Sequence, residues 1–234
     1  MSRNEYGKPV EQAAGGRGGP LRVAVLVSGS GSNLQALIDA IEGRELPDVE
    51  IVLVISNKAD AYGLQRALKH RLPALFLPWT KPAQQQEAEA RILALLRLFG
   101  ADLIVLAGWM RIFSPEFIAQ LPQRMINLHP ALLPDDSAAD SYTTSDGSSI
   151  PALRGLHVVQ RALDAGLPVT GSTVHYVIPK VDAGPVIARA EVTIQPQDSA
   201  ETLHERLKQV EHTLVVEAVR MVSARPAAVC QALS

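Results

Sequence analysis

The sequence predicts an α/β fold: an open, mostly parallel Rossmann-like sheet with helices on both faces and an antiparallel strand addition at its C-terminal end. Three observations predict it. From residue 21 to about residue 165, short continuous apolar runs alternate with helical patterns, as parallel strands with crossover helices require. A glycine-rich turn, Ser28-Gly29-Ser30-Gly31-Ser32-Asn33, separates the first apolar run from the first helical pattern. Beyond residue 165, two alternating runs follow each other with no helix between them, which points to an antiparallel pair.

Leu21 to Val27 is the first expected strand. Behind it Leu34, Leu37, Ile38 and Ile41, at offsets of three, four and seven, share one helix face. Ile51 to Ser56, Ala74 to Leu77 and Asp102 to Ala107 read as further strands, with helices over about Tyr62 to Lys69 and Pro82 to Phe99. The second of these turns Ile92, Leu95, Leu96 and Phe99 inward and closes at Gly100. Ser114-Pro115 caps and starts a short helix, and Met125 to Asn127 is a short strand. A helix near Leu153 to Ala165 precedes the strands Thr173 to Ile178 and Pro185 to Ile194. Asp198 and Glu201 suit a capping box for a last helix with the stripe Leu203, Leu207, Val210 and Leu214.

Residues 1–20, rich in Gly, are expected to be a disordered leader, and 21–228 a single domain. Residues 135–149 interrupt that domain with four aspartates, five serines, two threonines and no Lys or Arg. That composition predicts a solvated, mobile loop.

The chain has 234 residues, 47% of them hydrophobic, and a net charge of -2, which suits one large α/β domain. No basic run offers a footprint for nucleic acid or an anionic membrane, so a small soluble molecule is the expected partner. The one cysteine, Cys230, gives no sign of an oxidising compartment. With no signal-peptide core and no membrane-length apolar run, the expected location is the cytoplasm. No pair of histidines has the spacing of a zinc site, so no metal is expected. Oligomeric state stays open, a homodimer included.

Two stretches point to chemistry. Asn127 and His129 stand two apart before Pro130, so on an extended segment both side chains leave one face; Asp182 lies in Val181-Asp182-Ala183-Gly184-Pro185. An amide, an imidazole and a carboxylate suffice to polarise a carbonyl, move a proton and orient the proton carrier. The glycine-rich turn puts free backbone N–H groups at a helix N-terminus, which suits the phosphate of a small substrate. It lacks the third glycine of a dinucleotide site, and Ser56-Asn57-Lys58 stand where an acidic residue would close the second strand. Gly108-Trp109-Met110-Arg111-Ile112-Phe113 follows a strand end, where Trp109 and Phe113 could flank a flat heterocycle.

These segments, with Ser56-Asn57-Lys58-Ala59-Asp60-Ala61, Asn127-Leu128-His129-Pro130-Ala131-Leu132-Leu133-Pro134 and Gly171-Ser172-Thr173-Val174-His175, resemble in order the phosphoribosylglycinamide formyltransferase family. The resemblance runs from about Leu21 to Val222. It implies formyl transfer from 10-formyltetrahydrofolate, as co-substrate, to the amine of glycinamide ribonucleotide in purine biosynthesis. It implies Asn127, His129 and Asp182 as the catalytic set and Gly31, Ser32 and Asn33 as the phosphate site. Met110, Pro130 and Glu211 would contact the ribonucleotide, with Glu211 on the ribose. Arg111, Ile112, Phe113, Met125, Val177, Ile178 and Val181 would enclose the folate. On this reading the amine attacks directly, Asn127 and a protonated His129 donate to the formyl oxygen, and Asp182 either holds the imidazole and favours its charged form or orders a water that shuttles the proton.

The chain departs from that family in three places. Twenty residues intervene between Pro134 and Gly155 where the family has a few, Val159 stands where a second histidine is expected, and no arginine occupies Pro82 to Glu89. A formyltransferase acting on methionyl-tRNA is the competing enzyme reading, and it would want a basic appended domain. A non-catalytic phosphometabolite-binding protein is the third.

Overall fold

The structure, a computed structural model, describes residues 19–224. The expected leader therefore lies outside the described residues except for Gly19 and Pro20. Among the described residues seven strands form one sheet, and the elements follow the predicted alternation. They are β1 (Leu21–Val27), α1 (Ser32–Glu42), β2 (Val49–Ser56), α2 (Tyr62–Lys69), β3 (Ala74–Phe76), α3 (Gln85–Leu98) after a 3-10 turn at Pro82–Gln84, and β4 (Leu103–Leu106). Next come α4 (Pro115–Ala119), β5 (Met125–His129), a small hairpin of β6 (Ser141–Thr143) and β7 (Ser149–Pro151), α5 (Val158–Asp164), β8 (Val169–Tyr176), β9 (Val186–Thr193) and α6 (Ala200–Ser223).

Strand order is β3-β2-β1-β4-β5-β8-β9. The first five are parallel, whereas β8 runs antiparallel to β5 and β9 antiparallel to β8, as expected from the missing crossover helix. Alternation along β1 splits the core. Val23, Val25 and Val27 pack with Leu34, Leu37 and Ile38 of α1 and with Leu214, Val215 and Val219 of α6. Ala24 and Leu26 face the opposite layer, with Ile92, Leu93 and Leu96 of α3 and Phe117 and Ile118 of α4. The sheet is covered on both faces, and its strand ends are left to carry the polar chemistry.

Two local expectations fail for identifiable reasons. The last helix begins one residue later than the Asp198–Glu201 pairing requires: Ser199 is its cap, accepting from the Thr202 N–H at 3.2 Å while the Thr202 hydroxyl accepts from the Ser199 N–H at 2.9 Å. Asp198 instead takes the Gln195 N–H at 2.7 Å and the Arg206 guanidinium. The 135–149 segment is not an unstructured loop but contributes most of the β6–β7 hairpin. Its polar residues satisfy one another. The Thr144 hydroxyl and the Ser148 N–H both donate to Asp146, whose carboxyl those bonds pull down to about 2. Composition alone does not reveal that pairing.

Ser114 caps α4 as expected, its hydroxyl accepting from the Phe117 N–H at 3.1 Å and donating to Glu89 of α3 at 2.6 Å. Ser114→Ala removes both bonds and is expected to lower stability by about 1 kcal/mol, read as a lower denaturant midpoint at unchanged slope.

Candidate active site

The carboxyl ends of β1, β4 and β5 open on one cleft of about 850 Å³. In an open parallel sheet this is where a ligand meets the fewest side chains and the most backbone termini. At one end stands the turn after β1. Gly31 takes φ +67°, a left-handed conformation that favours glycine, and a Cβ there would lie 2.6 Å from the Gly63 Cα of α2. The Gly63 N–H in turn donates to the Gly29 carbonyl at 3.0 Å, and the Arg66 Nε–H to the Ser30 carbonyl at 2.9 Å. Among the described residues no side chain caps α1, so its first amides face the cleft.

Beside that turn lies a buried carboxylate. Glu211 of α6 accepts from Asn33 Nδ2 at 3.1 Å and from the Ser172 hydroxyl of β8 at 3.2 Å. Asn33 Oδ1 is buried with no hydrogen-bond partner among the described residues, an acceptor suited to a donor entering the cleft. One and two turns earlier on α6, Lys208 and His204 line the same wall.

The trio predicted from sequence converges at the centre of the cleft. Asn127 and His129 alternate on β5, and register places His175 of β8 directly opposite Asn127. Asn127 Nδ2 stands 3.3 Å from His175 Nε2, whose ring donates from Nδ1 to the Tyr176 carbonyl at 2.9 Å. Asp182 arrives from the β8–β9 connection with φ +49°. Two residues on, Gly184 packs so tightly that a Cβ would sit 1.7 Å from the Tyr176 carbonyl oxygen. The carboxylate accepts the Gly155 N–H at 2.8 Å and stands 3.4 Å from His129 Nδ1 and 3.5 Å from His175 Nε2. The other nitrogen of His129, Nε2, donates to the Leu153 carbonyl at 2.8 Å.

Burial pushes the His129 pKa down, and this outweighs the upward pull of Asp182 and of the Leu153 carbonyl. Asp182 pulls the imidazole toward its charged form, as expected, while burial pulls it further the other way. Burial also pulls Asp182 up, but the His175 hydrogen bond, the His129 ring and the Gly155 N–H together hold it below the usual carboxylate range.

Met110, Pro130, Arg111, Ile112, Phe113, Val177, Ile178 and Val181 all line the cleft, as the resemblance implies. One expectation needs correction. Met125 shares its strand face with Asn127 and His129 but stands at the start of β5, away from the strand's carboxyl end, and is buried with Ile104 and Phe117 below the cleft wall. Trp109 and Phe113 both line the cleft while their rings stack on each other at 6.0 Å and 6°, and Phe113 stacks on Phe117 at 4.4 Å. Sequence reading left His175 among structural histidines and did not find Leu153, Arg154 or Gly155; only the β5–β8 register and the path of the hairpin bring them in. Among the described residues no cluster of three or more His, Cys, Asp or Glu could hold a metal ion, and no helix is long and apolar enough to cross a membrane.

A family profile described as formyl transferase matches residues 21–219. The chain belongs to the formyl transferase family. Among its relatives, the phosphoribosylglycinamide formyltransferase of Haemophilus influenzae is 37% identical over 193 residues, covering 82% of each protein. The trifunctional purine biosynthetic protein adenosine-3 of Drosophila pseudoobscura pseudoobscura is 40% identical over 203 residues. Those residues are 86% of this chain but 14% of that protein, so this formyl transferase spans about a seventh of it. The solved structure of the phosphoribosylglycinamide formyltransferase of Coxiella burnetii superposes with a TM-score of 0.73 at 38% identity, covering 88% of both chains.

The geometry separates binding from packing residues. Gly31→Val in this formyl transferase forces a β-branched residue into a left-handed position against α2, and is expected to raise the KM for a phosphorylated substrate with little change in the KM for the other. Met125→Ala is expected to cost about 2–5 kcal/mol in unfolding free energy while leaving both KM values within about twofold, the signature of a core residue.

Proposed function

We propose that this chain transfers a formyl group from 10-formyltetrahydrofolate to the amine of 5'-phosphoribosylglycinamide in cytoplasmic purine synthesis, using one domain over residues 21–228. The observation that carries this reading is a single cleft joining an uncapped helix N-terminus, the buried Glu211 carboxylate and the Asn127–His129–Asp182 cluster. The residues present fit both substrates. Amides after Gly31, with the Lys208 cation on the facing helix, suit a phosphate; Glu211 suits a sugar hydroxyl. The exposed apolar side chains of Met110, Ile112 and Val181 offer the walls a folate ring system needs.

10-Formyltetrahydrofolate supplies the formyl carbon; the rest of the chemistry belongs to the protein. As the substrate amine attacks that carbon, negative charge grows on the formyl oxygen. An Asn127 N–H donated toward it stabilises that charge beside a buried cluster, where the surroundings screen it little. Opposite, His175 fixes the amide by facing Asn127 Nδ2. The attacking amine must lose a proton. His129, its pKa lowered by burial, accepts it at Nδ1, and the imidazolium so formed gains the attraction of the Asp182 carboxylate. As the tetrahedral centre collapses, the bond from the formyl carbon to the folate nitrogen breaks, and that nitrogen takes the proton back from His129.

Absorbance-monitored turnover with glycinamide ribonucleotide and 10-formyltetrahydrofolate tests the reading directly; absence of formylated product would overturn it. His129→Ala is expected to lower kcat on the order of a hundredfold or more with nearly unchanged KM values, and a fully active variant would rule out the assigned role. Because the His129 pKa is lowered, the reactive neutral form persists below the usual imidazole range. The rate therefore stays flat across neutral pH and falls only as acid protonates the ring. Asp182→Asn removes the charge that raises that pKa, so the acid limb should move to still lower pH while the maximal rate drops.

A further inference from the structure

The twenty residues between Pro134 and Gly155 do more than bridge β5 and α5. Their hairpin is fastened to β9, the edge of the sheet, by two side chains on one face of that strand. Glu191 accepts three hydrogen bonds from it, from the Tyr142 hydroxyl at 3.1 Å, the Ser145 N–H at 2.8 Å and the Ser145 hydroxyl at 2.6 Å. Arg189 lies over the Tyr142 ring at 5.2 Å and pairs with Asp135 at the hairpin's entry. The Ser145 hydroxyl, with the other two donors, holds the Glu191 carboxyl below the usual range, so the clasp stays charged at neutral pH.

The exit of the hairpin leads straight to the reacting groups. Its base is closed by the Ala152 N–H donating to the Asp140 carbonyl at 2.9 Å. The next three residues each touch the catalytic cluster. The Leu153 carbonyl takes His129 Nε2 at 2.8 Å, Arg154 donates to the Asp182 carbonyl at 3.1 Å, and the Gly155 N–H donates to the Asp182 carboxylate at 2.8 Å. A second Arg154 bond, to the Ala139 carbonyl at 2.9 Å, locks that run to the hairpin itself. The Leu153 bond also fixes the His129 tautomer, because a carbonyl accepts only a protonated Nε2; Nδ1 is left as the free base.

We infer that Glu191, with Arg189, is a positioning residue for the His129–Asp182 pair, acting through the β6–β7 hairpin. Neither side chain lines the cleft. Their effect is to hold one carbonyl and one N–H where the imidazole and the carboxylate need them, and a displacement near 1 Å at such a point costs on the order of a hundredfold in rate. The inference rests on the proposed formyl transfer for its kinetic readout but not for its spectroscopic one.

The test compares Glu191→Ala, Glu191→Gln and the double variant Tyr142→Phe with Ser145→Ala, which removes two of the three hydrogen bonds to Glu191 from the hairpin side and leaves β9 intact. Steady-state kinetics with glycinamide ribonucleotide and 10-formyltetrahydrofolate are measured beside the NMR titration of His129 in uniformly labelled protein. The titrating groups facing His129 are Asp182 and His175, with Arg154 as the fixed charge. Glu191→Ala and the double variant are expected to lower kcat roughly tenfold or more with KM values within about twofold, and to move the His129 titration up toward that of a free imidazole as solvent enters. Glu191→Gln, which keeps an acceptor for Tyr142 and the Ser145 N–H, should restore most of the rate. Unchanged kcat and an unchanged His129 titration in both clasp variants would overturn the inference. Should the wild type not turn over these substrates, the functional reading fails while the titration still decides the positioning role. Should Glu191→Ala not fold, the double variant decides the question by the same two readouts.

Discussion

The site is organised around a carboxylate that is buried and must stay charged. Asp182 is nearly closed off from water, and desolvation alone would protonate it. Three separate parts of the chain meet to prevent this: the His129 ring from β5, the His175 ring from β8 and the Gly155 N–H from the end of the insertion. Each of them needs a particular backbone arrangement. β5 and β8 must pair in antiparallel register to set the two rings side by side, and the β8–β9 turn must fold flat on Tyr176, which glycine at 184 allows. The switch from parallel to antiparallel strands is therefore what makes the cluster geometrically available.

Burial has a second consequence. A carboxylate beside a histidine draws the ring toward its charged form, and here the loss of water pulls the His129 pKa further in the opposite direction.

Much of this was legible in the sequence, for reasons that can be named. Strand and helix alternation is a periodicity, and it placed β1 and α2 to the residue and β2 within two, with the buried face of α1; the spacing of Asn127 and His129 is a same-face relation within one strand. What could not be read depends on partners distant in the chain. Met125 shares a face of β5 with Asn127 and His129, and only the depth of the cleft shows that it lies in the core below them. That Trp109 and Phe113 pack on each other while lining the cleft is likewise not a spacing that sequence displays. The Asp135 to Ser149 stretch carries the composition of a loop, because its order comes from Glu191 and from bonds within the hairpin rather than from buried apolar area.

The contact of Gly31 with Gly63 has a consequence for how this protein can change. Backbone lies on backbone there, and a Cβ at residue 63 would also strike Val27 at 2.9 Å. The turn that faces the cleft is thus shaped by α2, the third element further along the chain, and the two glycines form one packing unit. In a chimera that exchanges residues 21–43 with a relative, the 61–67 segment has to travel with them, or the turn loses the surface on which it is moulded.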